Sequence, residues 1–458
     1  MNQHSIYTSL VAGLVFPLHE RLKKHSTVAA RRALEQSQHW SEQRLQQLQL
    51  QRLQRLLLRA RQQVPYYREL FATLDFDPAR DLHSLADLAR LPLTTKATIR
   101  ANTERLKAAD AVGLARFNTG GSSGEPLIFY IGKERVSHDV AAKWRATRWW
   151  QVDIGDPEVV VWGSPIELGA QDKVRALRDR LLRTRLLPAF DMSAAKLDGF
   201  VSHIRARRPR MLFGYPSALS HIARHAAASG QRMDDLGIRV AFVTSERLYD
   251  EQRAQISATF GCPVANGYGG RDAGFIAHQC PSGGMHLSAE DIIVEIIGAD
   301  GRPVPRGQPG EIVVTHLASG DFPFIRYRTG DIGVLDTEAC ACGRGLPLLK
   351  EIQGRSTDFL VARDGTVMHG LALVYILRDL PQVQAFKIVQ ESLDLTRVQV
   401  VLEVPLDAAL RQHIVAGFRA RLGAAVQVEV EQVGAIAAER SGKYRYVVSK
   451  VTPGSAPA

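Results

Sequence analysis

Three short apolar runs, in a region where strands alternate with helices, constrain the fold of this chain more than any other feature. The runs are Glu158–Gly163, Arg210–Pro216 and Ile238–Glu246, and the last two lead into predicted helices at Ser217–Ser229 and Asp250–Phe260. Runs of this kind are typical of buried parallel strands, and the alternation indicates an α/β sheet. Ligands bind such sheets at the carboxyl ends of the strands. The side chains expected there are Tyr215, Ser245, Glu246 and Tyr268.

The regions on either side of this sheet have different patterns. Residues 28–63 carry leucines at helical spacing and predict one long helix, within a largely helical lead-in over 1–110. Strands joined by Gly/Pro turns predict a β-rich subdomain over 285–353. A separate small α+β unit is expected over 354–458. Its predicted elements are strands at Val383–Gln390, Thr396–Val404 and Val426–Val433 and a helix at Ala408–Leu422.

Composition and charge limit the class of protein. The 458 residues, 45% apolar and 23% charged, are ordinary for a globular protein with two or three domains. The net charge of +11 favours anionic ligands or an acidic partner. No recognition-helix or zinc-finger spacing supports binding to nucleic acid. Four cysteines are too few for a secreted disulfide framework, so we expect a cytoplasmic protein.

The apolar segment Ile6–Leu18 is too short to span a bilayer, so no transmembrane segment is expected. Basic residues follow it, and a weak contact of the N-terminus with a membrane surface therefore stays open.

The stretch Asn118–Pro126 is rich in glycine and hydroxyl residues and precedes the apolar run Leu127–Ile131. Glycine permits backbone conformations in which successive amide groups converge on an anion. The stretch lacks the Lys-Ser/Thr ending of a P-loop, and a strand follows it where the dinucleotide fingerprint needs a helix. It therefore predicts a polyphosphate-binding loop of another kind, with a plain surface turn as the alternative.

Four more motifs follow this loop in order: Tyr268-Gly-Gly-Arg-Asp272, Arg326-Tyr-Arg-Thr-Gly-Asp331, Gly354-Arg-Ser-Thr-Asp358 and Ser441-Gly-Lys443. Together the five resemble the adenylate-forming superfamily of acyl- and aryl-CoA ligases, from about residue 40 to 450. The likeness is greatest to the phenylacetate–CoA ligase branch, including CapK-like proteins of capsular polysaccharide biosynthesis. It implies a large adenylation domain, 1–353, and a small mobile α+β lid domain, 354–458.

The resemblance also implies an activity. A carboxylic acid, aryl or acyl, would react with ATP and Mg²⁺ to give an acyl-adenylate. The acyl group would then pass to the thiol of coenzyme A or to the phosphopantetheine arm of an acyl carrier protein.

The same resemblance assigns residues to ATP. The loop would bind the β- and γ-phosphates, Asp331 and Arg355 would bind the ribose, and Asp272 would bind magnesium. Lys443 would bridge the substrate carboxylate and the α-phosphate during adenylation. The loop residues concerned are Thr119, Gly120, Gly121, Ser122, Ser123 and Gly124, and those around adenine are Ser245, Glu246, Tyr268 and Gly269.

An aromatic-lined slot is expected to bind the acid. Its proposed walls are Phe213, Tyr215, Pro216, Gly267 and Gly270. The aromatic members are equally consistent with ordinary core packing.

Four positions depart from the family pattern. Glu125 replaces the usual lysine before the proline, Arg271 replaces a hydroxyl residue, and Thr357 replaces the usual Asp or Lys. Asp272 replaces a glutamate. A nucleotide- or acyl-adenylate-binding scaffold without full turnover is therefore one alternative. Acyl transfer to an amine in polysaccharide biosynthesis is another.

Three cysteines and a histidine form a possible second site. Cys280 and His286 are separated by a turn-rich segment and precede Cys340 and Cys342. Such a set is normal for tetrahedral zinc, and members of the phenylacetate–CoA ligase branch look similar at these positions. We expect a structural zinc that pins the β-rich subdomain to the motifs around Tyr268. His278 is the alternative nitrogen ligand, and four ordinary reduced residues are the alternative to any site.

Overall fold

The computed structural model describes residues 5–118, 127–162, 173–189, 192, 194–355, 359–364, 367–369, 371–378, 380–436 and 446–451. The chain divides into two compact units. The large unit contains the residues up to Thr329 and Gly333–Ile352, and the small unit contains Gly330–Ile332 and most of the chain from Gln353 onward. Their assignment as adenylation and lid domains stays a prediction. Of the helices in the described ranges, none has the length and apolar character that crossing a bilayer requires.

A helical region begins the large unit. The sequence predicted one helix over 28–63, and this is wrong: the chain turns at Gln38–Trp40 between two helices. The second helix starts where the Ser41 hydroxyl accepts a hydrogen bond from the Arg44 amide, which satisfies one of the first free N–H groups. The elements are α1 Ile6–Leu10, a π-helical turn Val11–Val15, α2 Phe16–Leu22, α3 Thr27–Ser37, α4 Glu42–Gln63, α5 Pro65–Thr73, α6 Pro78–Asp81, a 3₁₀ helix Leu85–Arg90 and α7 Lys96–Ala101.

A seven-stranded sheet forms the centre of the large unit within the described residues, in the order β4-β3-β5-β6-β7-β8-β9. The first five strands of this order are parallel and the last two are antiparallel. Every residue of β5 and β6 is buried, because helices cover both faces. The strands are β3 Glu158–Trp162, β4 Thr184–Pro188, β5 Met211–Gly214, β6 Val240–Thr244, β7 Val264–Gly270, β8 Gly274–Gln279 and β9 Met285–Leu287.

The predicted α/β alternation is confirmed. The helices of this region are α8 Lys133–Trp149, α9 Lys173–Leu181, α10 Ala194–Arg207, α11 Pro216–Ala228 and α12 Asp250–Phe260. A hairpin, β1 Ala115–Asn118 and β2 Ile128–Ile131, precedes α8.

The predicted β-rich region is a second sheet in the order β10-β11-β12-β13. Its β10 and β11 are antiparallel, with Val294 opposite Val314. Together with α4 and α5, this sheet encloses one continuous apolar core. The strands are β10 Ile292–Ile297, β11 Pro309–His316, β12 Tyr327–Leu335 and β13 Leu349–Arg355.

The small unit has its own core, on a sheet in the order β18-β17-β16-β19. The predicted elements are present, because alternating apolar residues such as Val398 and Val400 point into one core. The structure adds β19 and a helix before β16. The elements are β14 Phe359–Val361, β15 Val367–His369, α13 Leu371–Arg378, β16 Val383–Gln390, β17 Leu395–Leu402, α14 Ala408–Leu422, β18 Gln427–Gln432 and β19 Val447–Ser449.

Candidate active site

Several of the assigned residues lie outside the described part of the chain. The loop positions 119–124, Glu125, Thr357 and Lys443 belong to this group. The strands that bound the loop are described, and they pair Asn118 with Ile128. Arg355 ends β13, but its side chain is also outside the described set. The roles of these residues stay predictions.

Ser245 and Glu246 directly follow β6. The φ angle of Ser245 is +72°, a left-handed conformation that is uncommon for a residue other than glycine. Glu246 Oε2 accepts a hydrogen bond from the Ser217 amide at 3.2 Å, at the start of α11. A carboxylate is stabilised at the N-terminus of a helix by the helix dipole. Glu246 therefore has a structural role at the carboxyl edge of the sheet, beside the role in nucleotide binding that the resemblance implies.

Phe213 and Tyr215 belong to an aromatic cluster at the end of β5. The Trp162 ring stacks on Tyr215 with centroids 4.3 Å apart and on Phe213 at 5.8 Å. Lys143 Nζ lies 3.8 Å from the centroid of the Phe213 ring. Phe213 and Tyr215 are both buried, and Pro216 is the buried first residue of α11. These residues are thus part of the packed sheet, and a role in acid binding stays a prediction.

The turn after β7 brings Asp272 close to its strand. Tyr268 is half-buried against the main core of the large unit. A Cβ on Gly270 would lie 2.7 Å from Asp272 Oδ1, so a larger residue there would displace this carboxylate. Gly267 and Gly269 also belong to β7, whose pairing with β8 shifts register between Tyr268 and Gly269.

Asp272 is bonded to a residue of another motif. Its Oδ2 accepts a hydrogen bond from the Tyr327 hydroxyl at 2.6 Å, and its Oδ1 accepts one from the Ala273 amide at 3.1 Å. Tyr327 begins β12 and is completely buried. The Tyr268–Asp272 and Arg326–Asp331 motifs, far apart in sequence, therefore meet at this carboxylate.

Arg135 holds the same turn from the other side. This residue of α8 is 1% exposed, and its NH2 donates to the carbonyl oxygens of Arg271 and Asp272, both at 2.8 Å. Its guanidinium also lies 3.5 Å from Asp139, and His316 Nε2 lies 3.2 Å from that carboxylate. Arg135, Asp139 and His316 therefore form a buried polar network that contacts the backbone of the turn at Asp272, the candidate magnesium ligand.

The pKa values in this network follow from burial and pairing. Burial acts to raise the pKa of Asp139, but the hydrogen bond from His316 and the charge of Arg135 outweigh it, so the pKa falls below its usual value. Burial lowers the pKa of His316, and the nearby Arg135 adds to this effect. The neutral imidazole accepts from the Ala318 amide at Nδ1, so we assign the proton to Nε2, facing Asp139.

Arg326, the first residue of its motif, anchors the start of β12 through buried hydrogen bonds. It is 3% exposed, and its guanidinium bonds both carboxylate oxygens of Glu295 at 3.1 and 2.9 Å. It also donates to the carbonyl oxygens of Ala89 and Leu91. Asp331 lies further along β12 and is half-buried. The start of β12 is thus tied to two other segments of the large unit.

The four predicted zinc ligands lie together. Cys280, His286, Cys340 and Cys342 each place one ligand atom within 4.8 Å of the others. The distance from Cys280 Sγ to Cys340 Sγ is 3.6 Å, and that from His286 Nε2 to Cys342 Sγ is 3.1 Å. Two sulfur ligands of tetrahedral zinc, each about 2.3 Å from the metal, lie about 3.8 Å apart. The residues therefore fit a zinc ion in number, type and spacing.

The local contacts prepare these side chains for a metal. His286 Nδ1 lies 3.3 Å from the carbonyl oxygen of Leu346, which places the proton there and turns Nε2 toward the cysteines. Burial lowers the pKa of His286 to about 4, so the imidazole is neutral. Burial acts to raise the pKa of Cys342, but hydrogen bonds from Arg344 outweigh it and the pKa is lowered. A Cβ on Gly284 would lie 2.7 Å from Cys340 Sγ, so the close approach of this sulfur to the backbone at residue 284 needs glycine there.

His278, the alternative nitrogen ligand, is outside the cluster. Its ring stacks on Phe275 and contacts Phe242, and burial lowers its pKa to about 3. His278 is a neutral core histidine.

Sequence reasoning missed Arg135, Asp139, His316 and the role of Tyr327. Nothing in the sequence around Arg135 distinguishes it from the exposed charges of α8, because its burial depends on Phe324 and on the turn at Asp272. For Tyr327, its place inside a recognised motif was the one available signal.

Comparisons with known proteins cover both units. The family model described as "AMP-binding enzyme" matches residues 186–318, and "CapK C-terminal domain" matches residues 360–450. A phenylacetate-coenzyme A ligase of Thermus thermophilus is 26% identical over 81% of this chain and 84% of the relative. A protein named CapK from Staphylococcus aureus is 23% identical over 80% of this chain and 81% of the relative.

A solved structure has the same fold over nearly the whole chain. It is a 2-hydroxyisobutyryl-CoA ligase in the postadenylation state, with a TM-score of 0.73 and 22% identity. The alignment covers 91% of this chain and 92% of that one.

Proposed function

Because the chain belongs to the adenylate-forming superfamily, we propose that it is an AMP-forming ligase that joins a carboxylic acid to a thiol. In the first step, a carboxylate oxygen attacks the α-phosphorus of ATP, and the bond to pyrophosphate breaks. In the second step, the thiol sulfur gives up its proton and attacks the acyl carbon of the adenylate, and AMP leaves. The acid is aryl or acyl, and the thiol belongs to coenzyme A or to a phosphopantetheine arm on a carrier protein.

The meeting of two motifs at Asp272 is the observation that carries this proposal. The turn at Tyr268–Asp272 and the segment Arg326–Asp331 supply the residues to which the resemblance assigns adenine, magnesium and ribose. The 2.6 Å hydrogen bond from Tyr327 to Asp272 joins them. Residues that bind one nucleotide must lie close together in the folded protein. A buried hydrogen bond between the two motifs is expected if they form one site, and is not expected if they are unrelated.

Asp272 suits a magnesium ion. Each of its carboxylate oxygens accepts one hydrogen bond and has a further lone pair for a cation. A hard oxygen ligand is what Mg²⁺ prefers. Magnesium bound here would neutralise charge on the phosphates of ATP.

The other roles are proposed residue by residue. Lys443 offsets the negative charge that gathers as carboxylate and α-phosphate approach, because an ammonium group stabilises that charge most in a water-excluded site. Asp331 accepts hydrogen bonds from the ribose hydroxyls, and Arg355 also contacts the ribose. The phosphate loop comprises Thr119, Gly120, Gly121, Ser122, Ser123 and Gly124; the adenine site comprises Ser245, Glu246, Tyr268 and Gly269; the acid site comprises Phe213, Tyr215, Pro216, Gly267 and Gly270.

The cluster of Cys280, His286, Cys340 and Cys342 is proposed to hold a structural zinc. It leaves no position for substrate, because all four tetrahedral ligands are protein atoms. Bound zinc would link the β8–β9 hairpin to the segment before β13. Thiolate ligands persist best in a reducing compartment, which supports a cytoplasmic location.

Substrate-dependent ATP–pyrophosphate exchange tests the function. Aryl, fatty, hydroxy and amino acids are supplied in turn, and we expect exchange with one class. Lys443→Ala should reduce exchange by at least about a hundredfold while ATP binding persists, because the change removes transition-state charge stabilisation. Lys450→Ala, an exposed lysine of the same unit paired with Glu391, is the matched control and should exchange normally.

The outcomes separate the candidate functions. ATP binding with no exchange for any acid would support a binding scaffold. Exchange followed by acyl transfer to an amine, with none to coenzyme A or to a carrier-protein thiol, would favour the role in polysaccharide biosynthesis.

A further inference from the structure

The outward face of the first helical region is apolar. Its five exposed members recur every four residues, so each lies about one turn from the next. In an ideal α-helix, side chains four residues apart drift gradually around the helix axis. The π-helical turn at Val11–Val15 has more residues per turn, so it reduces this drift and keeps the five side chains on one face. A surface helix normally has a polar outer face. This leucine stripe consists of Ile6, 91% exposed, Leu10, 51%, Leu14, 61%, Leu18, 55%, and Leu22, 77%.

The opposite face of this region is firmly attached to the large unit. Thr8 Oγ1 donates to Asp156 Oδ1 at 2.8 Å, and Val11 is buried near Gly155. Phe16 packs edge-on against Trp144, with ring centroids 5.2 Å apart. The direction in which the stripe faces is therefore determined by tertiary contacts.

A second helix extends the apolar surface. Leu177 and Leu181 of α9 are 59% and 44% exposed. The Tyr7 hydroxyl donates to the carbonyl oxygen of Leu181 at 2.9 Å, so α9 ends beside the start of the stripe. Of the eleven large apolar side chains that are exposed among the described residues, eight belong to this surface, so the exposure is concentrated and not scattered.

Cations surround this surface. Arg21, Lys23 and Lys24 are exposed at the end of the stripe. Of the acidic residues beside them, Glu20 is buried and bonded to His25 and Thr27, and Asp179 pairs with Arg178 at 2.5 Å. Among the described side chains at and after α9, further cations are Arg180, Arg183 and Arg185, of which Arg183 lies over the Tyr7 ring at 4.3 Å.

We propose that this surface binds an anionic phospholipid bilayer. The leucine stripe would enter the boundary between headgroups and acyl chains, and the surrounding cations would contact the anionic headgroups. A second copy of the chain is disfavoured as the occupant, because a symmetric contact would bring the same cations together. The interaction lies in the plane of the membrane and does not span it.

Vesicle cosedimentation of the full chain tests this proposal. We expect the protein to pellet with vesicles of phosphatidylglycerol and phosphatidylcholine, less with phosphatidylcholine alone, and less at high salt. The double variant Leu10→Glu/Leu14→Glu should lower the partition coefficient by at least about tenfold, because charged side chains resist entry into the acyl region. Neither residue is part of the proposed catalytic machinery.

The matched control is Leu74→Glu/Val404→Glu, which adds the same charge at exposed apolar positions elsewhere. It should bind vesicles like the unaltered chain, and both variants should keep the melting temperature. Equal binding by the two double variants would overturn the proposal. A dimer in light scattering that Leu10→Glu/Leu14→Glu converts to a monomer, without vesicle binding by the original chain, would identify a second copy as the occupant instead.

Discussion

Asp272 is the residue on which the candidate site depends most, and its position is determined by neighbours from three segments. Tyr327 bonds the carboxylate, Arg135 bonds the backbone of the turn, and Gly270 leaves the necessary space. Tyr327 acts through Asp272 and is therefore a positioning residue. A hydrogen bond to a charged acceptor contributes roughly 1.5–3 kcal/mol.

Replacing Tyr327 with Phe should weaken the response to magnesium while the fold is retained. Phenylalanine fills the same buried space, but Asp272 loses the donor that orients it. We expect the Mg²⁺ concentration for half-maximal pyrophosphate exchange to rise about tenfold, with a smaller change in the rate at saturating Mg²⁺. Tyr66→Phe, which removes a hydroxyl outside the motifs, is the control. An unchanged magnesium midpoint in Tyr327→Phe would refute the positioning role.

At the scale of elements, helix α8 connects the sheet to the helical region through buried arginines. Arg145 is 1% exposed and donates to the carbonyl oxygen of Leu34 in α3 at 3.1 Å. It also bonds Glu290 Oε1 at 2.6 Å, and the Ser37 hydroxyl bonds the same oxygen at 2.6 Å. The ion pair therefore ties α3, α8 and the segment before β10 together away from water.

Replacing Arg145 with Met should cost about 3–5 kcal/mol in the free energy of unfolding, since Glu290 is left buried without its counter-ion. Urea unfolding measures this loss. Arg148→Met is the matched control on the same helix. Arg148 pairs with Glu35 and Asp153 while 36% exposed, so its loss should cost under about 1 kcal/mol. Similar losses of unfolding free energy in the two variants would contradict the conclusion that the buried pair of Arg145 and Glu290 ties these elements together.

At the scale of the whole molecule, the two units have separate apolar cores. The core of the small unit is formed by β16, β17, α14 and their neighbours. The large unit contains the cores around the two sheets and the cysteine–histidine cluster. Structural zinc contributes directly to folding free energy, so its removal should affect the unit that contains the cluster.

Calorimetry of the full chain should therefore show two transitions that respond to different changes. A strong chelator should lower the melting temperature of one by at least about 5 °C. Phe418→Ala, in the core of the small unit, should destabilise the other by about 3–5 kcal/mol. Elemental analysis should find about one zinc per chain. Its absence, or a chelator effect on the transition that Phe418→Ala lowers, would remove the proposed site.

Local patterns in the sequence determined much of this protein. The three parallel strands and the clustering of Cys280, His286, Cys340 and Cys342 could be predicted. Apolar periodicity and motif spacing report local conformation, and a metal site needs a definite set of residue types.

Contacts between distant residues decided the rest. The break at Ser41 reflects a cap that outweighs leucine periodicity, and the burial of Arg135 and Arg145 depends on partners more than a hundred residues away. The apolar spacing of Ile6–Leu22 was present in the sequence. Only tertiary structure decided that this face points outward, because the opposite face makes the contacts with Asp156 and Trp144.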